Sequence, residues 1–290
     1  MILIKIYKKI RREMYKQLSK ICLKRATVNY FGLELNVPIV DGVGAGFLFP
    51  DDKWMSDCLT VFLKLKKGTV VDIGVNIGLY MVKLKAIDSS REYIGFEPNA
   101  VCNYYTQELI RENNFQKVRV LPFALSDKKE LRTFYIRRKA DKMGSLNDYA
   151  RFGDADKVSF DLFTFPGDDF FELLNVDSVC VFKIDVEGAE FEVLRGLGST
   201  IKKHKPYLFC EIWQLPETSH PTYNEKLERL KSIRELMKNL DYNILGVSAK
   251  DASDVSVLET LESFDGTHRR DYIFVHRTEM DDLRSKLVEI

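Results

Sequence analysis

Residues Val70–Tyr80, reading Val-Val-Asp-Ile-Gly-Val-Asn-Ile-Gly-Leu-Tyr, constrain this chain more than any other stretch. A β-branched run reaches Asp72, a glycine turn runs from Gly74 to Gly78, and a helical pattern begins at Leu79. Strand, tight turn and helix N-terminus together make a floor for a nucleotide-like cofactor. Backbone N–H groups and the helix dipole face the ligand there, and the glycines let it come close. The spacing is Asp-x-Gly-x-Asn-x-Gly, which differs from the G-x-G-x-x-G of a dinucleotide site.

The stretches that follow supply the supports of that floor. Strand patterns fall at Thr69–Ile73, Tyr93–Phe96, Val118–Leu121, Val179–Ile184 and Tyr207–Trp213, with helical patterns at Leu79–Ile87, Val101–Asn113, Ala189–Lys203 and Tyr223–Leu240. A further helix is expected at Trp54–Leu65. Such alternation predicts a mostly parallel sheet with helices on both faces and a ligand at the C-terminal strand ends. Two late strands, Tyr242–Val247 and Tyr272–His276, are joined without a crossover helix and predict an antiparallel pair at one edge. A polar helix is expected at Met280–Val288. At 290 residues the chain has room for one large α/β domain with extensions, or for two small ones.

Residues 1–25 differ in composition from the rest. Nine lysines and arginines from Lys5 to Arg25 face one acid, Glu13, while Leu3, Ile6, Ile10, Met14, Leu18 and Ile21 recur at helical steps. This predicts a basic amphipathic helix that lies on an anionic membrane surface or a partner, or packs its stripe on its own domain. Lys5 breaks the apolar start, which argues against a signal peptide or a spanning helix. Residues 26–50 read as a small β cover with a flexible loop at Gly42–Gly46, so that residues 1–50 precede a main domain of residues 51–290. Residues 128–160 interrupt the alternation as a charged insertion around a hairpin at Leu131–Arg137, placed over the cleft or as a surface excursion.

The formal net charge of +1 gives no global field toward nucleic acid. Five scattered cysteines without a CxxC pair suit a reducing compartment, with Cys180 and Cys210 as small core residues.

Chemistry concentrates at two further strand ends. Gly95-Phe-Glu-Pro-Asn99 places Glu97 at a strand tip beside the glycine turn, where a carboxylate can accept both ribose hydroxyls of an adenosine. Phe182-Lys-Ile-Asp-Val-Glu-Gly-Ala-Glu190 delivers Asp185 and Glu187 to the same end of the sheet. Acids gathered there are costly unless a cation or hydrogen-bond donors offset them, and a sulfonium, an amine or a metal would each serve. Glu190 and Glu192 have a plainer alternative, facing water or the helix dipole, and Glu192 is assigned to it.

Asp72-Ile-Gly-Val-Asn-Ile-Gly78, Phe96-Glu-Pro-Asn99, Ala124-Leu-Ser-Asp127 and Lys183-Ile-Asp-Val-Glu-Gly-Ala-Glu190, in that order, resemble the FkbM family of S-adenosylmethionine-dependent methyltransferases. The resemblance spans Trp54 to Trp213. It implies a Rossmann-like class I methyltransferase fold, an α/β architecture with a mostly parallel seven-stranded sheet and an antiparallel edge pair. The implied cofactor is S-adenosylmethionine, and the implied acceptors are sugar hydroxyls of polysaccharides, glycolipids or secondary metabolites. By position, Asp72, Gly74, Asn76 and Gly78, with Tyr80, would line the methionine and ribose side. Glu97, beside Pro98, would hold the ribose hydroxyls, Ala124 to Ser126 would border the adenine, and Asp185 would sit beside the reactive methyl. Val75 and Met81 depart from the small residues usual there and would narrow the floor.

A sugar hydroxyl is a poor nucleophile, so a positioned base is expected. Asp185 is the first candidate, followed by Glu187 and Glu211 at neighbouring strand ends and by His220 in the segment after the last parallel strand. His268 is read as a solvated turn residue. The acid set could instead take a hard divalent ion, but no metal-ligand spacing compels it and no metal is expected. The competing readings are methyl transfer to another oxygen or nitrogen, an NAD-dependent oxidoreductase, and a non-catalytic module of the same fold. A basic N-terminal helix suits a cytoplasmic enzyme working on glycans at the inner membrane face.

Overall fold

The structure, a computed structural model, describes residues 24–40, 43–48, 53–136, 144–146, 158–213, 215–247, 255–258, 261 and 271–287. The basic N-terminal helix and His268 lie outside the described residues, apart from Lys24 and Arg25.

The first strands, β1 (Arg25–Tyr30) and β2 (Leu33–Pro38), form an antiparallel hairpin. A 3₁₀ turn at Ala45–Leu48 follows, so the end of the expected glycine loop is ordered around a fully buried Phe47. Then come α1 (Lys53–Leu65), β3 (Thr69–Ile73), α2 (Leu79–Ile87), β4 (Tyr93–Phe96), α3 (Ala100–Glu112), β5 (Val118–Leu121) and β6 (Ala124–Ser126). Strands β7 (Glu130–Ile136) and β8 (Val158–Pro166) lead into α4 (Gly167–Leu174), β9 (Val179–Ile184), α5 (Glu190–Gly196), α6 (Gly198–His204) and β10 (Tyr207–Glu211). The chain closes with α7 (Tyr223–Asn239), β11 (Tyr242–Val247), β12 (Val255–Leu258), β13 (Asp271–His276) and α8 (Met280–Leu287).

Among the described residues the main sheet has eight strands, ordered β12-β11-β13-β10-β9-β3-β4-β5. The run from β10 to β5 is parallel, as the strand–helix alternation requires. β13 inserts antiparallel between β10 and β11, which makes the expected seven strands, and β12 adds an eighth at the edge. That strand lies in the connection between the two late strands, where none was expected. Alternate residues along each strand serve the two faces. Val70, Tyr93, Val181 and Tyr207 pack under α1, α2, α3 and the hairpin, while Val71, Ile94, Phe182 and Leu208 pack under α4 to α7. Phe62 of α1 stacks on Tyr207 with ring centroids 4.4 Å apart, a contact type that adds about 0.5–1.5 kcal/mol beyond burial.

The hairpin covers α3. Tyr105 donates to the Pro38 carbonyl at 2.9 Å, and Asn113 both accepts from and donates to the backbone of Asn36 at 2.8 Å. The helix expected across Ala189–Lys203 is two helices, α5 and α6, meeting at Leu197. A Cβ on Gly196 would lie 1.9 Å from the Ser126 carbonyl, so the end of α5 presses its backbone on β6. The hairpin read within the insertion pairs differently: β7 runs antiparallel to β8 and β6 parallel to it, giving a separate three-stranded sheet. Cys58, Cys102, Cys180 and Cys210 are buried free thiols. Among the described residues no helix is long and apolar enough to cross a membrane.

Candidate active site

The strand ends of β3, β4 and β9 converge on an open cleft lined by Gly74, Asn76, Glu97 and Asp185. Its floor is the glycine turn. The amides of Gly74 and Val75 both donate to the Phe96 carbonyl (3.0 and 3.2 Å), and Thr106 of α3 donates to the Asn76 carbonyl at 3.0 Å. Gly74 (φ 86°) and Asn76 (φ 55°) are left-handed. At Gly74 a Cβ would lie 1.9 Å from the Asp185 carbonyl oxygen, so only glycine lets the turn cross the end of β9.

Glu97, at the tip of β4, ties the floor to the next helix. Its Oε2 accepts from the Asn76 amide at 2.7 Å and its Oε1 from the Asn99 amide at 2.8 Å. Asn99 then caps α3 by accepting from the Val101 amide. Burial pushes the Glu97 carboxyl up to about 7 despite the two amides. Each oxygen keeps acceptor capacity for a ligand hydroxyl.

Beneath the floor lies a cation the motif reading did not assign. Lys183 and Asp72 are register partners on β9 and β3. The Lys183 ammonium sits 3.2 Å from Asp72 Oδ1 and 3.3 Å from Asp185 Oδ2, and donates to the Gly74 carbonyl at 2.8 Å. Burial works against its charge, but Asp185 and Asp72 outweigh that and raise it above the ordinary lysine value. Asp72 is fully buried, and Tyr93 donates to its Oδ2 at 2.7 Å. Burial raises its carboxyl, opposed by Lys183 and Tyr93. The triad is a brace for the turn, and the sequence signal was a lone lysine in an apolar strand.

Of the sequence candidates, Gly74, Asn76, Glu97, Pro98, Ala124, Asp185 and Glu187 line the cleft. Asp72 lies beneath the floor, and Tyr80 is buried with its ring 6.1 Å from Phe209. Gly78 caps α2 in a left-handed conformation, and Ser126 is fully buried, donating to Asp127 at 3.2 Å. Val75 and Met81 join the core under the turn, so they do not narrow the cleft as expected. Glu187 is held from two sides: the Trp213 indole donates to its Oε2 at 3.1 Å and Ser145 donates to its carbonyl at 2.7 Å. Ser145 belongs to the segment whose neighbours Gly144 and Leu146, with Phe134, wall the cleft, so the insertion borders the site.

Glu190 accepts from the Gly188 amide at 2.8 Å, and burial raises it to about 7. Glu192 does not simply face water; Arg229 of α7 grips both its oxygens. His220 sits in the turn before α7, exposed, with Nδ1 accepting from the Thr222 amide at 3.2 Å, and lines neither the cleft nor its neighbour. Glu211 lies outside the cleft, in an adjoining hollow that shares Asp185. Among the described residues no group of three His, Cys, Asp or Glu side chains is placed to hold a metal ion.

A central parallel sheet with a glycine turn on its first strand, an acid at the next strand tip and an antiparallel strand inserted near one edge is the class I methyltransferase arrangement. The family model for the FkbM methyltransferase domain matches residues 72–244, well over half of the chain, and the chain belongs to that family of S-adenosylmethionine-dependent enzymes. No curated protein matches the sequence. Among solved structures, the FkbM methyltransferase of Methylobacillus flagellatus KT is 16% identical, with 72% of this chain and 44% of that one covered at a TM-score of 0.43. This chain therefore spans less than half of that protein's length. TYW2 of M. jannaschii in complex with AdoMet is 10% identical, covering 87% and 85% at 0.42. A SAM-dependent methyltransferase from Aquifex aeolicus is 13% identical, covering 78% and 93% at 0.39.

Proposed function

We propose that this chain transfers a methyl group from S-adenosylmethionine to a hydroxyl of a sugar in a polysaccharide, glycolipid or related glycan. One observation carries the reading: a single cleft brings the Glu97 carboxylate, poised over the glycine turn, together with Asp185 at the neighbouring strand end. The donor set fits the cofactor. Glu97 offers two oxygens to vicinal hydroxyls, Asp185 offers negative charge to an ammonium or sulfonium, and Phe123, Ala124 and Leu125 offer an apolar wall to a flat base.

S-adenosylmethionine, when bound, supplies a methyl group on a positively charged sulfur. The protein's work is then placement. Gly74 and Asn76 would set the floor, Glu97 would fix the ribose end, and Asp185, steadied by Lys183, would face the charged centre. Phe134 and Leu146 add apolar wall to the same space. Alignment of the two reacting partners can account for most of the acceleration, and a carboxylate at the strand ends takes the hydroxyl proton. The sugar acceptor rests on the FkbM motifs. The basic residues of the N-terminal stretch support action at an anionic inner membrane face.

Calorimetric titration of S-adenosylmethionine and NAD into the wild type and Glu97→Ala tests the reading. Only S-adenosylmethionine should bind, and the variant should weaken it by roughly tenfold or more, the value of hydrogen bonds to a charged group. Absence of binding to the wild type would overturn the assignment. Tight binding with no transfer to any acceptor would favour a non-catalytic module.

A further inference from the structure

Beside the cofactor cleft, and sharing Asp185 with it, lies a second, open hollow walled by Trp54, Met55, Phe209 and Tyr272. Asp185 borders both spaces, so a molecule in the hollow would meet the cleft's contents at that residue. The other polar groups in it come from strand register. Cys210 pairs with Ile184, which sets Glu211 level with Asp185 one residue on, and Glu211 pairs directly with Asp271 across β10 and β13. Like charges opposed across a ladder are destabilising.

The carboxylates at this edge differ in what holds them. Asp185 is ion-paired to Lys183, and Glu187 accepts from Trp213. The Glu211 carboxylate meets no hydrogen-bond donor among the described residues. Among the described residues Lys183 is the one cation lining the hollow, and it is already committed to Asp72, Asp185 and the Gly74 carbonyl. Aromatic walls with acids, and no spare cation among the described residues, suit the apolar faces and hydroxyls of an uncharged ring and disfavour a carboxylate or phosphate.

We propose that this hollow seats the methyl acceptor as an uncharged sugar ring, and that Glu211 takes the proton of the hydroxyl being methylated. The inference rests on the methyltransferase reading and adds the acceptor's seat, its lack of charge and the base. The hydroxyl oxygen forms its bond to the methyl carbon while the methyl–sulfur bond breaks, its electron pair staying on sulfur, and the hydroxyl proton passes to the Glu211 carboxylate. Burial, with the carboxylates of Asp185, Asp271 and Glu187, raises Glu211 to about 8, within the range where a general base is effective near neutrality.

The test is saturation-transfer NMR of methyl glucoside, methyl glucuronide and glucose 6-phosphate with the full chain saturated in S-adenosylhomocysteine. Contact with methyl glucoside alone is expected, with the signal lost in Trp54→Ala and reduced at least several-fold in the near-isosteric Glu211→Gln. Equal contact by either anionic sugar, no contact by the neutral one, or signals unchanged in both variants would overturn the proposal. S-adenosylhomocysteine binding is scored separately by calorimetry, and its failure would instead count against the methyltransferase reading.

Discussion

The two sides of Asp185 solve the same electrostatic problem in opposite ways. On the cofactor side every acid near the floor is held by the protein: Asp72 by Tyr93 and Lys183, Glu97 by the amides of Asn76 and Asn99, Glu187 by Trp213. On the far side Glu211 faces Asp271 across the ladder, with no donor of its own among the described residues. A site whose groups are fixed by internal partners pays its desolvation during folding and meets its ligand preorganised. Burial raises both Glu97 and Glu211, and the like charges beside Glu211 carry it further, to about 8 against about 7, as a proton acceptor needs.

The largest expected effect comes from removing what braces the cofactor side. Lys183→Met would leave Asp72 and Asp185 without their shared cation, and breaking a buried pair in this way costs about 3–5 kcal/mol. At about 2–4 °C per kcal/mol, the melting temperature should fall on the order of 10 °C by calorimetry. The double variant Lys183→Met/Asp72→Asn should recover part of the loss. An unshifted melting temperature in the single variant would show that the two sides are not distinguished by their internal partners. A smaller effect is expected from Gly74→Ala. Its left-handed backbone costs about 1–2 kcal/mol for a residue with a Cβ, and the clash with the Asp185 carbonyl must displace the turn. S-adenosylmethionine affinity should fall well beyond tenfold while the hairpin side of the core stays folded. Wild-type affinity would mean that the turn is not the cofactor floor.

The same contrast separates what was legible in the sequence. The five central strands follow from short apolar runs alternating with helical patterns, and β3, β4, β5 and β9 fall on their expected boundaries. Glu97 and Asp185 could be read because each is local, an acid one step past a strand. β8 was missed although it alternates, because both of its faces carry aromatics and its partner β7 lies beyond a long connection. The Lys183–Asp72 pair depends on register between strands over a hundred residues apart, and the Arg229 grip on Glu192 joins two helices. Local pattern shows which residues reach the strand ends; only long-range register shows which of them find partners.

Glu211→Gln sharpens the comparison with the smallest change in structure. With a folded value raised to about 8 from an ordinary 4.5, Glu211 binds its proton more tightly in the native state than in the unfolded chain. Its contribution is therefore fully present below about pH 4.5 and is lost as pH rises through about 8. Burial is the first cause, followed by Asp185, Asp271 and Glu187, with Lys183 opposing. Gln cannot ionise, so the variant should melt at nearly the wild-type temperature near pH 5 and above it by a few degrees near pH 9. Glu97 and Glu190, each raised to about 7, add slopes of the same sign to both proteins, so the difference between the two profiles isolates Glu211. Parallel profiles would place Glu211 in an ordinary solvated setting and remove the contrast between the two sides of Asp185. A divergence that disappears when a neutral glycoside is added would show the ligand supplying what the fold leaves out.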